Sequence, residues 1–197
     1  MRFMLGVDEA GRGPLAGPVA VAVVAVPKGF DVAIEFPGIA DSKKLSEKKR
    51  EKLFALLEER TARGDTRFTV EFSSAAMIDE YGIMRAVHVA LARGVRTLAR
   101  DPSIVKVLLD GSLLAPPEYE QKTIIHGDEL VPLISLASVA AKVVRDRFMV
   151  EFSARYPEYG FENHKGYGTR AHYEALKKHG SCAIHRRSFI HLDSEVE

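Results

Sequence analysis

Two short apolar runs open the chain. "RFMLGVD" (residues 2–8) and "VAVAVVAV" (19–26) are β-branched and strand-sized, and a Gly- and Pro-rich stretch separates them, so both read as strands. A helix is expected behind "DSKKLS". Ser46 can serve as its N-cap, Lys49 stands where a capping box would place Glu, and Leu53, Leu56 and Leu57 make a helical stripe. "RFTVEF" reads as a third strand. From Ser74 to about Arg100 the spacing of Ile78, Ile83, Val87, Leu91, Val95 and Leu98 is helical, with a break expected at Gly82. "SIVKVLLDG" is a strand ending at Asp110, and "KTIIHGD" a strand ending near Asp128. A helix follows from about Val131 to Tyr156, with Pro132 in its first turn, where proline is tolerated. In "HKGYGTRAHYEALKKHG" a Gly-rich loop leads into a helix closed by Gly180. Strands first and strand–helix alternation afterwards predict an α/β chain with a mixed sheet flanked by helices.

Composition narrows the function classes. With 197 residues and 46% hydrophobic content the chain can build one large domain, or one domain with a small appendage. A net charge of +1 rules out a strongly basic tail as the way of holding nucleic acid, so polyanion binding must come from local Lys and Arg clusters. The single cysteine, Cys182, excludes an internal disulfide framework and a Cys-rich zinc site, and reads as a packed or partly exposed thiol. No run approaches the roughly 20 apolar residues of a membrane span. Asp8 and Glu9 interrupt what would be the apolar core of a signal peptide. The expectation is a soluble protein of the reducing cytoplasm, without membrane contact and with nothing to suggest an obligate oligomer, hence a monomer.

The candidate chemistry begins with "GVDEAGRGPLAGP" (6–18). Adjacent carboxylates are costly to bury unless paired or bound to a metal, and Gly11 and Gly13 beside Arg12 allow something bulky to approach the backbone. Asp110 and Asp128 join Asp8 and Glu9 near the ends of strands, where functional groups gather in parallel sheets. Hard oxygen ligands suit Mg²⁺ or Mn²⁺, and a pair of ions can drive in-line phosphodiester hydrolysis, one activating the water and the other stabilising the leaving oxygen. Each acid alone can equally be a cap or turn residue. Neighbours on a regular strand point to opposite faces, so Asp8 and Glu9 can share a cation only if the strand ends or bends there.

A second set faces phosphate. Ser138, Lys142 and Arg145 fall at i, i+4 and i+7, aligned along one helix face among small alanines, a row suited to successive phosphates or to plain solvation beside Asp146 and Arg147. Asp146 is expected to pair with a neighbouring Arg. In "DSKKLSEKKR" only Lys43 and Lys44, ahead of the helix, are expected to point at a ligand. Tyr167, between glycines, is either a ring exposed for stacking on a sugar or base, or a tyrosine packed on a tight loop. For "HRRSF" (185–189) a structural role and a substrate contact both stay open.

Taken together, "GVDEAGRGPLAGPV", "DSKKLSEKKR", "LLDGS", "GD" ahead of "SLASVAAKVVRDRFM", "YPEYGFENHKGYGT" and "HRRSF" resemble ribonuclease HII, the bacterial type 2 ribonuclease H, in order and over roughly residues 5 to 190. Ala40, where the family often has Asn, and Leu136, where a second small residue is common, are departures that touch no proposed ligand. The resemblance implies a ribonuclease H-like fold: a five-stranded mixed sheet with flanking helices and a C-terminal helical segment. It implies a single type 2 domain over residues 1–197, with about 1–155 as catalytic core and about 156–197 as the helical segment. The implied activity is endonucleolytic cleavage of RNA in RNA/DNA hybrids and at single ribonucleotides in duplex DNA, as in ribonucleotide excision repair. The cut falls 5′ of the ribonucleotide and leaves a 3′-hydroxyl and a 5′-phosphate. By motif match Asp8, Glu9, Asp110 and Asp128 are the metal-binding catalytic acids, and Gly11, Arg12 and Gly13 read the 2′-hydroxyl. Tyr167 packs on the sugar, and Ser138, Lys142 and Arg145 contact phosphate.

Two other classes share part of this pattern. A non-catalytic RNA/DNA-junction binding protein would need Arg12, Tyr167 and the Lys142 face but not four acids. An enzyme acting on a small phosphorylated metabolite fits poorly with basic residues spread over three distant segments.

Overall fold

The computed structural model describes residues 3–39 and 45–191. Among them the strands form one five-stranded sheet in the order β3-β2-β1-β4-β5, with β1 Phe3–Ala10, β2 Val19–Pro27, β3 Arg67–Ser73, β4 Val105–Asp110 and β5 Glu120–Ile124. The first three strands are antiparallel neighbours, whereas β4 runs parallel to β1 and β5 parallel to β4. The mixed sheet expected from the alternation of elements is present.

Side-chain alternation assigns the two faces. Leu5 and Val7 of β1, Val21 and Val23 of β2, and Val107 and Leu109 of β4 pack with Val87, Leu91 and Val95 of α4 (Ile83–Leu98). The opposite face, with Ala22 and Val24, is covered by α2 (Glu47–Arg63) through Leu53, Phe54 and Leu57 and by α6 (Pro132–Ser153) through Leu136, Ala140 and Val143. Leu136 is thus an ordinary core residue. α6 can lie close to β1 because position 6 is glycine: a Cβ there would run into the Leu133 carbonyl oxygen.

The expected helix starts and stops are physical. Ser46 and Ser74 accept from the N–H groups of Lys49 and Met77 at the starts of α2 and of α3 (Ala75–Tyr81). The break at Gly82 is real, and that residue, at φ +80°, separates α3 from α4. Other bounds move. A short α1 (Val32–Glu35), capped by Asp31, carries too few residues for a periodic signal. β5 stops at Ile124, not near Asp128: His126 turns the chain at φ +56°, and Asp128 lies in α5 (Gly127–Leu130). The last long helix ends at Ser153, not Tyr156.

Beyond α6, α7 (Phe161–His164) and α8 (Arg170–His179) form a third apolar cluster with Leu15, Ala16 and Met149. It packs this segment against the β1–β2 connection. No helix of the described residues is long and apolar enough to cross a membrane.

Because the obstacle at Gly6 is main chain, it cannot swing aside. Gly6→Ala is expected to destabilise the protein by about 1–3 kcal/mol, the cost of overpacking a rigid contact. Urea unfolding of the variant checks this, and an unchanged midpoint would show that α6 can shift at no cost.

Candidate active site

β1 keeps its register with β2 through Ala10↔Ala20, so the chain does not bend at Asp8 and Glu9; the turn comes afterwards, at Gly11, with φ +89°. The expectation of a strand ending at the two acids is corrected by two residues. Asp8 therefore faces α6, where it is hydrogen-bonded with Ser138, and Glu9 starts from the other face. Pairing of β1 with β4 ends at Val7↔Leu109, and one step further Asp8 and Asp110 stand at the carboxyl ends of parallel strands on the same face.

The charge pattern calls for a cation. Asp8 is 5% exposed, and its carboxyl is held well above its ordinary range by burial first, then by the Glu9 charge and by Asp110. The Glu9 N–H, donating to Asp8 Oδ1 at 2.8 Å, and Ser138 pull the other way. Glu9 Oε1 accepts from Arg12 Nη1 at 3.0 Å, while its buried Oε2 has no partner among the described residues. Asp128 joins the group through its main chain, its N–H donating to Asp110 Oδ1 at 3.2 Å, and Ser135 Oγ on α6 donates to the Asp128 carbonyl at 2.6 Å. Oxygen donors of this kind fit a hard divalent cation. Among the described residues, no group of three or more His, Cys, Asp or Glu side chains converges closely enough to hold a metal as it stands. The acids form an electrostatic cluster and not a finished cage.

From Asp8 the site runs along α6. Ser138 comes first, then Lys142, whose Nζ bonds Asp146 Oδ1 at 2.9 Å and lies 5.6 Å from the centre of the Tyr167 ring. Asp146 thus pairs with Lys142 and not with an arginine. Tyr167 is 43% exposed, which decides for the accessible ring over the packed one. Lys43 and Lys44 lie outside the described residues.

Arg145 is a correction. It is fully buried, and its guanidinium donates to the carbonyls of Pro18 (3.0 Å), Lys165 (3.1 Å) and Ala16 (3.2 Å). The i+7 position of that helix face has turned into the interior, so Arg145 presents no solvent-facing group to a phosphate. Its counterpart is a residue that spacing did not single out. Arg186, also fully buried, donates to the carbonyls of Gly11 (2.6 Å), Arg12 (2.8 Å) and Gly17 (2.9 Å). Burial, and then the Arg145 cation, lower its pKa to about 9, so it stays charged at neutral pH. The resemblance block "HRRSF" was the only signal in the sequence that marked it.

The two clamps shape the Gly11–Pro18 connection. A Cβ at Gly11 would collide with the Arg145 side chain, and one at Gly166 with the Ala16 carbonyl oxygen. Further bonds tie the connection to the C-terminal segment: Leu15 N–H to Gly166 O and Gly17 N–H to Ile184 O, both at 2.8 Å. Gly13, by contrast, is exposed, and a Cβ on it would meet nothing among the described residues.

A mixed sheet with carboxylates at the ends of β1 and β4, beside a row of hydroxyl, ammonium and aromatic ring, suits a divalent cation next to a polyanion. The family model for Ribonuclease HII matches residues 5–192. Ribonuclease HII of Endomicrobium trichonymphae is 48% identical over 185 residues, covering 93% of this chain and 83% of that protein. Among solved structures, ribonuclease H2 from Pyrococcus horikoshii superposes with TM-score 0.68 at 26% identity, over 94% of this chain and 93% of the other. The ribonuclease HII of the PCNA complex from Archaeoglobus fulgidus shares the fold, with TM-score 0.77 at 24% identity over 98% of both chains. The chain belongs to the ribonuclease HII family. It is a hydrolase of the divalent-metal-dependent endoribonucleases that cleave RNA/DNA hybrids.

Two predictions follow from the clamp and from the histidines beneath Tyr167. Arg186→Lys keeps the charge but cannot reach three carbonyls in a fork, so it is expected to cost about 3 kcal/mol, read by urea unfolding; a loss below about 1 kcal/mol would rule out the clamp. His185 is buried and neutral, its pKa lowered to about 4 by burial and then by His172. Between that value and the ordinary one of about 6.5 the unfolded chain binds a proton that the folded chain refuses. This contribution is therefore complete above about pH 6.5 and is lost as pH falls towards 4, by roughly 3 kcal/mol in all. Unfolding free energies at pH 7 and pH 5 should diverge in the native protein and less so in His185→Gln; equal slopes would remove His185 as the cause.

Proposed function

We propose that this enzyme cuts duplex DNA on the 5′ side of single embedded ribonucleotides, as well as the RNA strand of hybrids, leaving 3′-hydroxyl and 5′-phosphate ends. The observation that carries the reading is the unbroken row from Asp8 through Ser138 and Lys142 to the Tyr167 ring. An acid cluster at one end, suited to the reacting phosphate, and an exposed aromatic face at the other, suited to a sugar, support the reading.

In this reading Asp8, Asp110 and Asp128 would hold Mg²⁺ or Mn²⁺, with Glu9 reaching the shared charge from the other face of β1, and bound divalent ions would supply an activated water and charge neutralisation at the leaving oxygen. Arg12 is tied to Glu9, and the connection around it is fixed by Arg186, so the Gly11–Arg12–Gly13 main chain presents a rigid edge to the ribose. The open space over Gly13 supports that role, because nothing among the described residues requires a glycine there. The 2′-hydroxyl is the one group that separates the ribonucleotide from its DNA neighbours. Ser138 and Lys142 position the adjacent backbone. Arg145 serves from below by holding the Ala16–Pro18 main chain.

A labelled duplex carrying one ribonucleotide, incubated with Mg²⁺, with Mn²⁺ or with EDTA, tests the proposal. Cleavage immediately 5′ to the ribonucleotide is expected with metal only. An all-DNA duplex should stay intact, and Asp110→Asn should cut at least about a hundredfold more slowly. Tight binding with no cut in either metal would favour a non-catalytic junction-binding protein.

A further inference from the structure

Tyr167 is held from beneath by a chain of imidazoles. Its carbonyl accepts from Thr169 N–H at 2.8 Å and meets His172 Nδ1 at 2.9 Å. A carbonyl can only accept, so His172 carries its proton on Nδ1 and leaves Nε2 as an acceptor. That Nε2 lies 3.0 Å from His185 Nε2, which must then be the donor. His185 Nδ1 is left to accept, and Cys182 N–H donates to it at 2.9 Å, with Cys182 Sγ at 3.0 Å. Main-chain groups at the two ends, a carbonyl and an amide, fix both tautomers, and the two rings are 0% and 3% exposed. His164 stacks on His172 with ring centroids 4.4 Å apart, accepts from Gly166 N–H at 3.2 Å, and meets the Tyr159 carbonyl through Nε2 at 2.9 Å. The neighbouring amides of the tyrosine loop are thereby fixed as well.

We propose that His172 and His185 are positioning residues for the reaction: through directed hydrogen bonds running from the Cys182 amide to the Tyr167 carbonyl, they set the height and tilt of the ring on which the sugar packs. The proposal rests on the reading of Tyr167 as the sugar-packing residue. It needs no contact between either histidine and the substrate. Both lie in the cluster of Tyr159, Phe161 and Leu176, beneath the loop. Removing the Nδ1 donor of His172 frees the Tyr167 peptide to rotate about the flanking glycines, whereas removing bulk alone does not.

The imidazole nitrogens can be replaced one at a time. In His172→Asn the side-chain amide nitrogen falls where Nδ1 stood; in His172→Gln it falls where Nε2 stood. On the single-ribonucleotide duplex His172→Gln is expected to lower kcat/KM about tenfold, and His172→Asn to stay within about threefold of the native enzyme. In a Tyr167→Ala background His172→Gln should have no further effect. Equal losses in the Asn and Gln variants, or a full additional loss in the double variant, would overturn the proposal. If Tyr167→Ala alone leaves cleavage unchanged, the reading of Tyr167 falls, and the positioning is decided separately by long-range ¹H–¹⁵N spectra. There His172 should appear as the Nδ1–H tautomer and His185 as Nε2–H, and the Gly168 amide, in the same peptide group as the Tyr167 carbonyl, should shift in His172→Gln but not in His172→Asn; the opposite tautomers or an unmoved Gly168 would refute it. Should His172→Gln not fold, His185→Gln, which keeps the Nε2 donor, and His185→Asn, which loses it, make the same comparison from the other end.

Discussion

Two buried guanidiniums hold the site together. The six acceptors that Arg145 and Arg186 bond are all main-chain carbonyls, on the Gly11–Pro18 connection and on Lys165. A buried cation is costly unless its donors are met, and a buried carbonyl is costly without one. Each requirement answers the other, through charge-assisted bonds stronger than neutral ones. The arrangement explains why an irregular, glycine-rich connection can be mostly buried, and why Asp8, which precedes it on β1, holds one position against α6.

The clamps divide the labour between charge and shape. On the sheet side, Asp8, Glu9 and Asp110 crowd negative charge into a poorly solvated corner, with Asp8 held towards its protonated form and one Glu9 oxygen left unpartnered among the described residues. On the loop side, positive charge is spent internally, on carbonyls, and Lys142 is shared with Asp146. What the described part of the site leaves open to solvent is an exposed aromatic ring and a bare glycine edge.

The strands, their order of appearance, the helix starts at Ser46 and Ser74 and the break at Gly82 were legible because each has a local cause: alternation, a capping oxygen, a residue free to take positive φ. The acids were grouped as a set by the family resemblance; periodicity set only Asp110 at its strand end, since β1 runs on to Ala10 and Asp128 lies in α5. What could not be read was long-range. Arg145 stands at the right helical spacing for a phosphate contact, yet burial decides its role, and burial depends on residues far away in sequence. His126, at positive φ without being glycine, displaced the end of β5 by a turn that no composition signal announces. The histidine chain depends on which ring nitrogen faces which carbonyl, a matter of three-dimensional packing alone.

The Arg186 bonds span 169, 174 and 175 residues of sequence, and those of Arg145 to Pro18 and Ala16 span 127 and 129. During synthesis the antiparallel β1–β2 hairpin can pair as soon as both strands exist, but the connection between them cannot take its final path until a segment made more than a hundred residues later has docked. Pairing of the first two strands and shaping of the connection between them are thus separated in time. A nascent chain can pair the strand that carries Asp8 and Glu9 well before it holds the guanidiniums that fix the Gly11–Pro18 path.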